Sequence, residues 1–131
     1  MSKQFKHKVK IYYEDTDAGG VVYYANYLKY LERARSEAIY SLGLTNNNLQ
    51  KDHDSLIIVK SCNIEYKKPA RFEDELEIIS SLLSKTKTSF TMLQTIKKKE
   101  EIISEATVQL VTVNKEGKPI KIPEILNNLL N

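Results

Sequence analysis

The chain has one cysteine, Cys62, and no long apolar run. A lone thiol cannot close an internal disulfide and fits a reducing compartment, so a cytoplasmic location is expected. No stretch approaches the ~20 apolar residues of a spanning helix, so no transmembrane segment is expected. The start, MSKQFKHKVK, lacks the apolar core of a secretory signal. Excess charge is also scarce: 20 Lys and Arg against 17 Asp and Glu leave a formal +3. That balance permits an anionic ligand. With no basic motif interleaved with aromatics, it gives no reason to expect nucleic acid. His7 and His53 have no Cys or His beside them at ligand spacing, so neither a metal nor another cofactor is expected. Repeats, linkers and low-complexity segments are missing too, and 131 residues suit one domain over 1–131.

What is present reads as a globular chain, 41% apolar and 28% charged. Residues 5–13 alternate partially, with Val9 and Ile11 on one side, and predict a half-buried strand. A helix follows from about Ala25 to Leu42. Leu28, Leu31, Ala34, Ala38, Ile39 and Leu42 make its apolar stripe, with Lys29, Glu32, Arg33 and Glu37 opposite. Gly43 stops it. TNNNLQKDHDS reads as a polar loop. Strands are predicted over 56–67, 74–84, 88–98 and 102–114, the last two a hairpin around KKKEE. A short amphipathic helix is predicted from Pro123 to Leu130. One strand, one long helix and four further strands give an α+β fold. In it the helix buries its stripe on a curved antiparallel sheet, the hot-dog arrangement. Such a sheet leaves open edges, so a homo-oligomer is expected.

The densest chemistry lies in YYEDTDAGGVVYYANYLKYLERAR, residues 12–35. Glu14, Asp15 and Asp17 crowd three carboxylates beside a Gly-Gly turn, and each raises the cost of ionising the next. Glycine lets backbone approach a ligand closely. The helix start offers unpaired N–H groups to negative charge. A carboxylate facing a helix start across a glycine turn suits cleavage of a carbonyl compound. Asp17 alone could equally be a turn residue. Asp15 reads as a structural anchor and Glu14 as solvated. Arg33 and Arg35 read as surface or subunit ion-pair residues, and Cys62 as a core or interface thiol.

The run from Tyr13 to Tyr23, with Ala25-Asn26-Tyr27 and Glu32-Arg33-Ala34-Arg35, resembles the signature of the Tol–Pal-associated acyl-CoA thioesterases. These are relatives of 4-hydroxybenzoyl-CoA thioesterase. Ser61-Cys62-Asn63, Lys68-Pro69-Ala70-Arg71, Asp74 and Leu76-Glu77-Ile78 fit a second block. The resemblance implies a catalytic aspartate at Asp17, and an oxyanion donor at the backbone N–H of Tyr24. It also implies an acyl group carried by CoA or an acyl-carrier protein, and dimers paired as tetramers. Many Tol–Pal-associated members carry His at the position of Tyr24; the hydroxybenzoyl relatives carry Tyr. Tyr13, Gly20, Val21 and Tyr27 are expected to line the substrate. Lys85 and Lys87, before Ser89-Phe90, resemble the basic side chains that meet the nucleotide in the hydroxybenzoyl relatives. Solvated turn lysines are an equal reading.

A thioesterase needs donors for the developing oxyanion, and a nucleophile or activated water at the carbonyl carbon. Asp17 can attack directly or draw a proton from water, and the residues leave both routes open. Two rivals are weaker. Asp15-Thr16-Asp17 has the Asp-x-Asp form of an aspartyl phosphotransferase, but the strands follow in series rather than alternating with helices. A calcium loop would need Glu where Asn26 stands. A non-catalytic hot-dog module binding an acyl chain or a protein is the remaining alternative.

Overall fold

A computed structural model describes residues 3–130, Leu129 by its backbone alone. The elements run β1 (Gln4–Lys10), α1 (Asn26–Ser41), α2 (Asn46–His53), β2 (Leu56–Tyr66), β3 (Glu75–Lys85), β4 (Ser89–Lys98), β5 (Glu101–Val113) and α3 (Glu124–Leu129). The five strands form one antiparallel sheet in the order β1-β3-β4-β5-β2. Period-two patterning sets its faces. Leu76, Ile78 and Ser80 of β3 are buried, whereas Glu75, Glu77 and Ile79 are not. The buried set packs under α1, whose Tyr27, Tyr30, Leu31, Ala34 and Ile39 join Ile78, Met92, Ile96, Val108 and Leu110 in one core. This is the hot-dog fold that the sequence pattern predicts.

One polar group inside the core fixes how the helix lies. Gln94, fully buried in β4, donates through Nε2 to the Leu31 carbonyl at 3.0 Å and to Ser80 Oγ at 2.9 Å. Its Oε1 accepts from Arg35 Nη1 at 3.0 Å. The two bonds to Leu31 and Arg35 are available together only at one register of α1 over the sheet, and leaving a buried amide unpaired is costly. Arg35 is therefore half-buried against Gln94, which removes the surface reading of its two sequence expectations, surface or subunit ion pair. Burial lowers its pKa from the usual guanidinium value.

Three further expectations need correction. The polar loop contains α2. Thr45 Oγ1 accepts the Asn48 N–H at 3.0 Å as an N-cap, Leu49 is buried, and Asp54 ends the helix in left-handed geometry (φ 47°). The first strand stops at Lys10 rather than continuing to residue 13. The Asp15 carboxylate takes the Tyr12 N–H at 2.9 Å and turns the chain into a single 3-10 turn, Tyr13–Asp15. On α1, Leu28 is exposed, and Tyr27 and Tyr30 hold the core side in its place.

The two sheet edges differ. On β1, Lys6, Lys8 and Lys10 are exposed. Lysines along an edge oppose pairing with another chain. On β2, Ile58 and Val59 are exposed at 44% and 47%, beside exposed Cys62. Among the described residues no helix is long and apolar enough to cross a membrane.

Candidate active site

The site is built on a small hairpin between β1 and α1. Asp17 N–H donates to the Val21 carbonyl at 2.9 Å, and Gly20 N–H to the Asp17 carbonyl at 3.1 Å. Thr16 bridges Val22, and Tyr23 N–H reaches the Asp15 carbonyl at 3.0 Å. Gly20 has φ +78°, where an L side chain is strained even though the space beside it is open. At Gly19 a Cβ would stand 3.3 Å from Asp17 Oδ1. The Gly-Gly pair is thus set by backbone conformation at one residue and by room for the Asp17 carboxylate at the other.

Asp17 is exposed, and its Oδ1 accepts the Gly19 N–H at 2.8 Å. Among the described residues its Oδ2 has no partner. Asp15 behaves as the expected anchor. It is 6% exposed, its Oδ2 holds Tyr12 N–H, and Lys29 Nζ stands 3.8 Å from its Oδ1. Glu14 is solvated.

The hairpin leads directly into α1. Asn26, Tyr27 and Leu28 return their N–H groups to the carbonyls of Tyr23, Tyr24 and Ala25, at 2.9, 3.2 and 3.3 Å. That tight first turn leaves the N–H groups of Tyr24 and Ala25 without acceptors among the described residues. Unpaired N–H groups at a helix start carry partial positive charge, and anions bind there.

Aromatic rings surround the hairpin. Tyr13 and Phe72 tilt against each other at 5.6 Å, and Val21 bridges Arg71 beside them. The Tyr24 ring is exposed, 4.9 Å from Tyr23 and 6.3 Å from Tyr66. The Tyr66 hydroxyl donates to the Tyr24 carbonyl at 3.2 Å. Tyr27 is different: it is 3% exposed, and its hydroxyl accepts the Ala70 N–H at 3.0 Å. Burial raises its pKa above 10.0. Within one protomer Tyr27 supports the wall from behind. Tyr66 and Phe72 are wall residues that the sequence reading did not single out; their signal was position, at the end of β2 and just after Lys68-Pro69-Ala70-Arg71.

The structure does not bring Lys85 and Lys87 to this place within one protomer. The hairpin lies against Ala70 and Arg71, just before β3 begins, and Lys85 ends β3. Ten strand steps separate those ends by roughly 33 Å. Lys85 Nζ donates to the Asn127 carbonyl at 3.2 Å, and Lys87 is exposed. Among the described residues no group of three or more His, Cys, Asp or Glu could hold a metal ion.

A loop carboxylate, unpaired helix-start N–H groups and an aromatic wall suit attack on a carbonyl. Residues 12–130 match the model of the thioesterase-like superfamily. The chain belongs to that superfamily. It is 38% identical over 122 residues to the acyl-CoA thioester hydrolase YbgC of Escherichia coli, covering 92% of this chain and 90% of that one. It is 34% identical over 121 residues to the acyl-CoA thioesterase YbgC of Haemophilus influenzae, covering 92% and 89%. A probable thioesterase from Bartonella henselae superposes with a TM-score of 0.89 at 31% identity, over 92% of this chain and 100% of that one. The superfamily chain described here is therefore a hydrolase of thioester bonds.

Proposed function

We propose that this thioesterase hydrolyses acyl-CoA to a free carboxylic acid and CoA at the Asp17 hairpin. One observation carries the reading. A carboxylate with one oxygen engaged and the other open sits on the same short ribbon as a helix start with two unpaired N–H groups. The thioester oxygen would take the Tyr24 N–H, where negative charge develops and the helix start favours it. The open Asp17 oxygen would attack the carbonyl carbon, giving a mixed anhydride that water then opens, or would draw a proton from the attacking water. Tyr13, Val21 and Tyr24 would line the acyl slot, with Gly20 allowing close approach and Tyr27 behind. The Escherichia coli and Haemophilus influenzae relatives carry acyl-CoA in their names, which supports CoA as the carrier. We place the chain with the Tol–Pal-associated branch, on its order of acids and glycines, and in the cytoplasm.

We also propose that the site is shared between protomers. Tyr66, beside Tyr24, ends the edge strand β2, so the hairpin adjoins one end of that edge strand. Two β2 strands pairing antiparallel about a two-fold axis turn one protomer end for end. The partner's Lys85 and Lys87 then come to the end of the sheet that holds Asp17. That arrangement supports a role for both lysines toward the CoA phosphates. Dimers would pair again as tetramers.

A thiol-release assay across an acyl-CoA length series tests the reaction. Turnover without added metal, unchanged by EDTA, is expected. Strong suppression by EDTA would overturn the carboxylate mechanism in favour of a metal-dependent one.

A further inference from the structure

Helix α1 opens without the cap that its sequence could have supplied. Ala25 stands at the N-cap position in helical geometry (φ −66°, ψ −22°) with no side-chain bond. Alanine is among the poorest residues there, and asparagine among the best. An asparagine is present one residue later, but its side chain turns away from the helix. Asn26 Nδ2 donates to the Asp15 carbonyl at 2.8 Å. The same oxygen accepts the Tyr23 N–H at 3.0 Å.

One carbonyl, two residues before Asp17, is thus gripped by the opposite arm of the hairpin and by the first residue of α1. That carbonyl is itself immobilised. Its residue is buried, and the Asp15 carboxylate holds Tyr12 N–H and faces Lys29. A forgone cap next to an open N–H pair is a broken local rule of the kind found at functional sites.

We propose that Asn26 is a positioning residue for the hydrolysis proposed above: by tying the first turn of α1 to the Asp15 carbonyl, it sets the Tyr24 N–H relative to the Asp17 carboxylate. The inference rests on that functional reading. The tether matters because Asp17 and Tyr24 are exposed and stand on opposite arms of the hairpin, and the Asn26 side chain joins the start of α1 to the arm that carries Asp17. A donor acts on a transition state only at a fixed distance, and a 1 Å displacement is worth about 10²-fold in rate.

Asn26→Ala removes the tether without adding charge. Asn26→Asp keeps the shape, removes the donor, and adds a negative charge that suits a helix N-terminus, so the fold is retained. Both variants should lose about 10-fold or more in kcat with KM within about 2-fold, the split expected of an interaction made in the transition state. Asn26→Ala should add little further loss in an Asp17→Asn background, because the geometry it protects no longer serves a reaction. Amide hydrogen exchange gives a readout independent of turnover. Tyr23 and Tyr27, whose N–H groups are held by the Asp15 and Tyr24 carbonyls, should exchange faster in Asn26→Ala, with the sheet amides of β3 and β4 unchanged.

Full kcat in both variants would overturn the inference while leaving the proposed function intact. So would an equal, additive loss in the Asp17→Asn background, which would mark a general stability effect. A wild-type protein that released no thiol from any acyl-CoA would defeat the functional reading instead. In that event unchanged exchange at Tyr23 and Tyr27 would still overturn the tether, and faster exchange would uphold it.

Discussion

Tyr27 and Ala70 are joined by a buried bond: the Tyr27 hydroxyl accepts the Ala70 N–H at 3.0 Å, with both residues nearly inaccessible to solvent. Tyr30, one helical turn on, is as deeply buried, yet its hydroxyl has no partner among the described residues. Burial, with the nearby Asp15 carboxylate, pushes the Tyr30 pKa up. The two tyrosines should therefore respond oppositely to loss of the hydroxyl.

Tyr27→Phe should lower stability by about 1–3 kcal/mol, because the Ala70 N–H is left buried without an acceptor. Tyr30→Phe should be neutral or stabilising, because it removes an unpaired buried hydroxyl. Urea denaturation of both variants checks the pair. Equal destabilisation by both would contradict this assignment.

The same burial sets a pH dependence. The folded pKa of Tyr27 is raised above 10.0. Above about pH 10 the unfolded chain loses this proton before the folded one does. The contribution is thus complete below pH ~10 and is lost as pH rises through the folded value. Denaturation midpoints measured from pH 8 upward should fall at the alkaline end, and fall less in Tyr27→Phe. A flat wild-type profile would count against it.

The unequal edges of the sheet predict which one associates. Val59→Lys puts on β2 the kind of charge that already protects β1, so it should convert an oligomer to a ~15 kDa monomer and lower turnover with it. Light scattering at assay concentration reads the state. A wild-type monomer with full activity would contradict a shared site.

Much of this was legible in the residues. Leu76, Ile78 and Ser80 alternate cleanly, and the hairpin at KKKEE sits where the turn residues placed it. The acids and glycines of 14–20 marked a tight turn, and the structure folds them into the hairpin between β1 and α1. Other features were not legible. α2 was hidden because Asn46 to His53 is polar except for Leu49, and its cap, Thr45, reads equally as loop. Leu28 fits the apolar stripe, but tyrosines at 27 and 30 bury more area and rotate the helix toward themselves. Arg35 could not be placed, because its partner Gln94 lies 59 residues away and pairs only in the folded sheet.

Tyr24 separates backbone from side-chain chemistry. Its N–H is kept whatever side chain stands there, and the ring is exposed, bordering the acyl slot in the proposed site. Tyr24→Phe should lose about 10-fold or less in kcat/KM, the scale of one modest hydrogen bond. Tyr24→His should remain active and add a titration near neutral pH to the kcat/KM profile, where imidazole changes charge. If Tyr24→Phe loses all activity, the phenol itself takes part in the reaction.

Asp17→Asn tests the central claim most directly. Asparagine retains an Oδ1 to accept the Gly19 N–H, so the hairpin keeps its shape, while the nucleophile or base is gone. Measured as kcat on the best substrate of the acyl-CoA series, the variant should lose at least about 10²-fold, with a far-ultraviolet spectrum like that of the wild type. Turnover near the wild-type value would contradict the account.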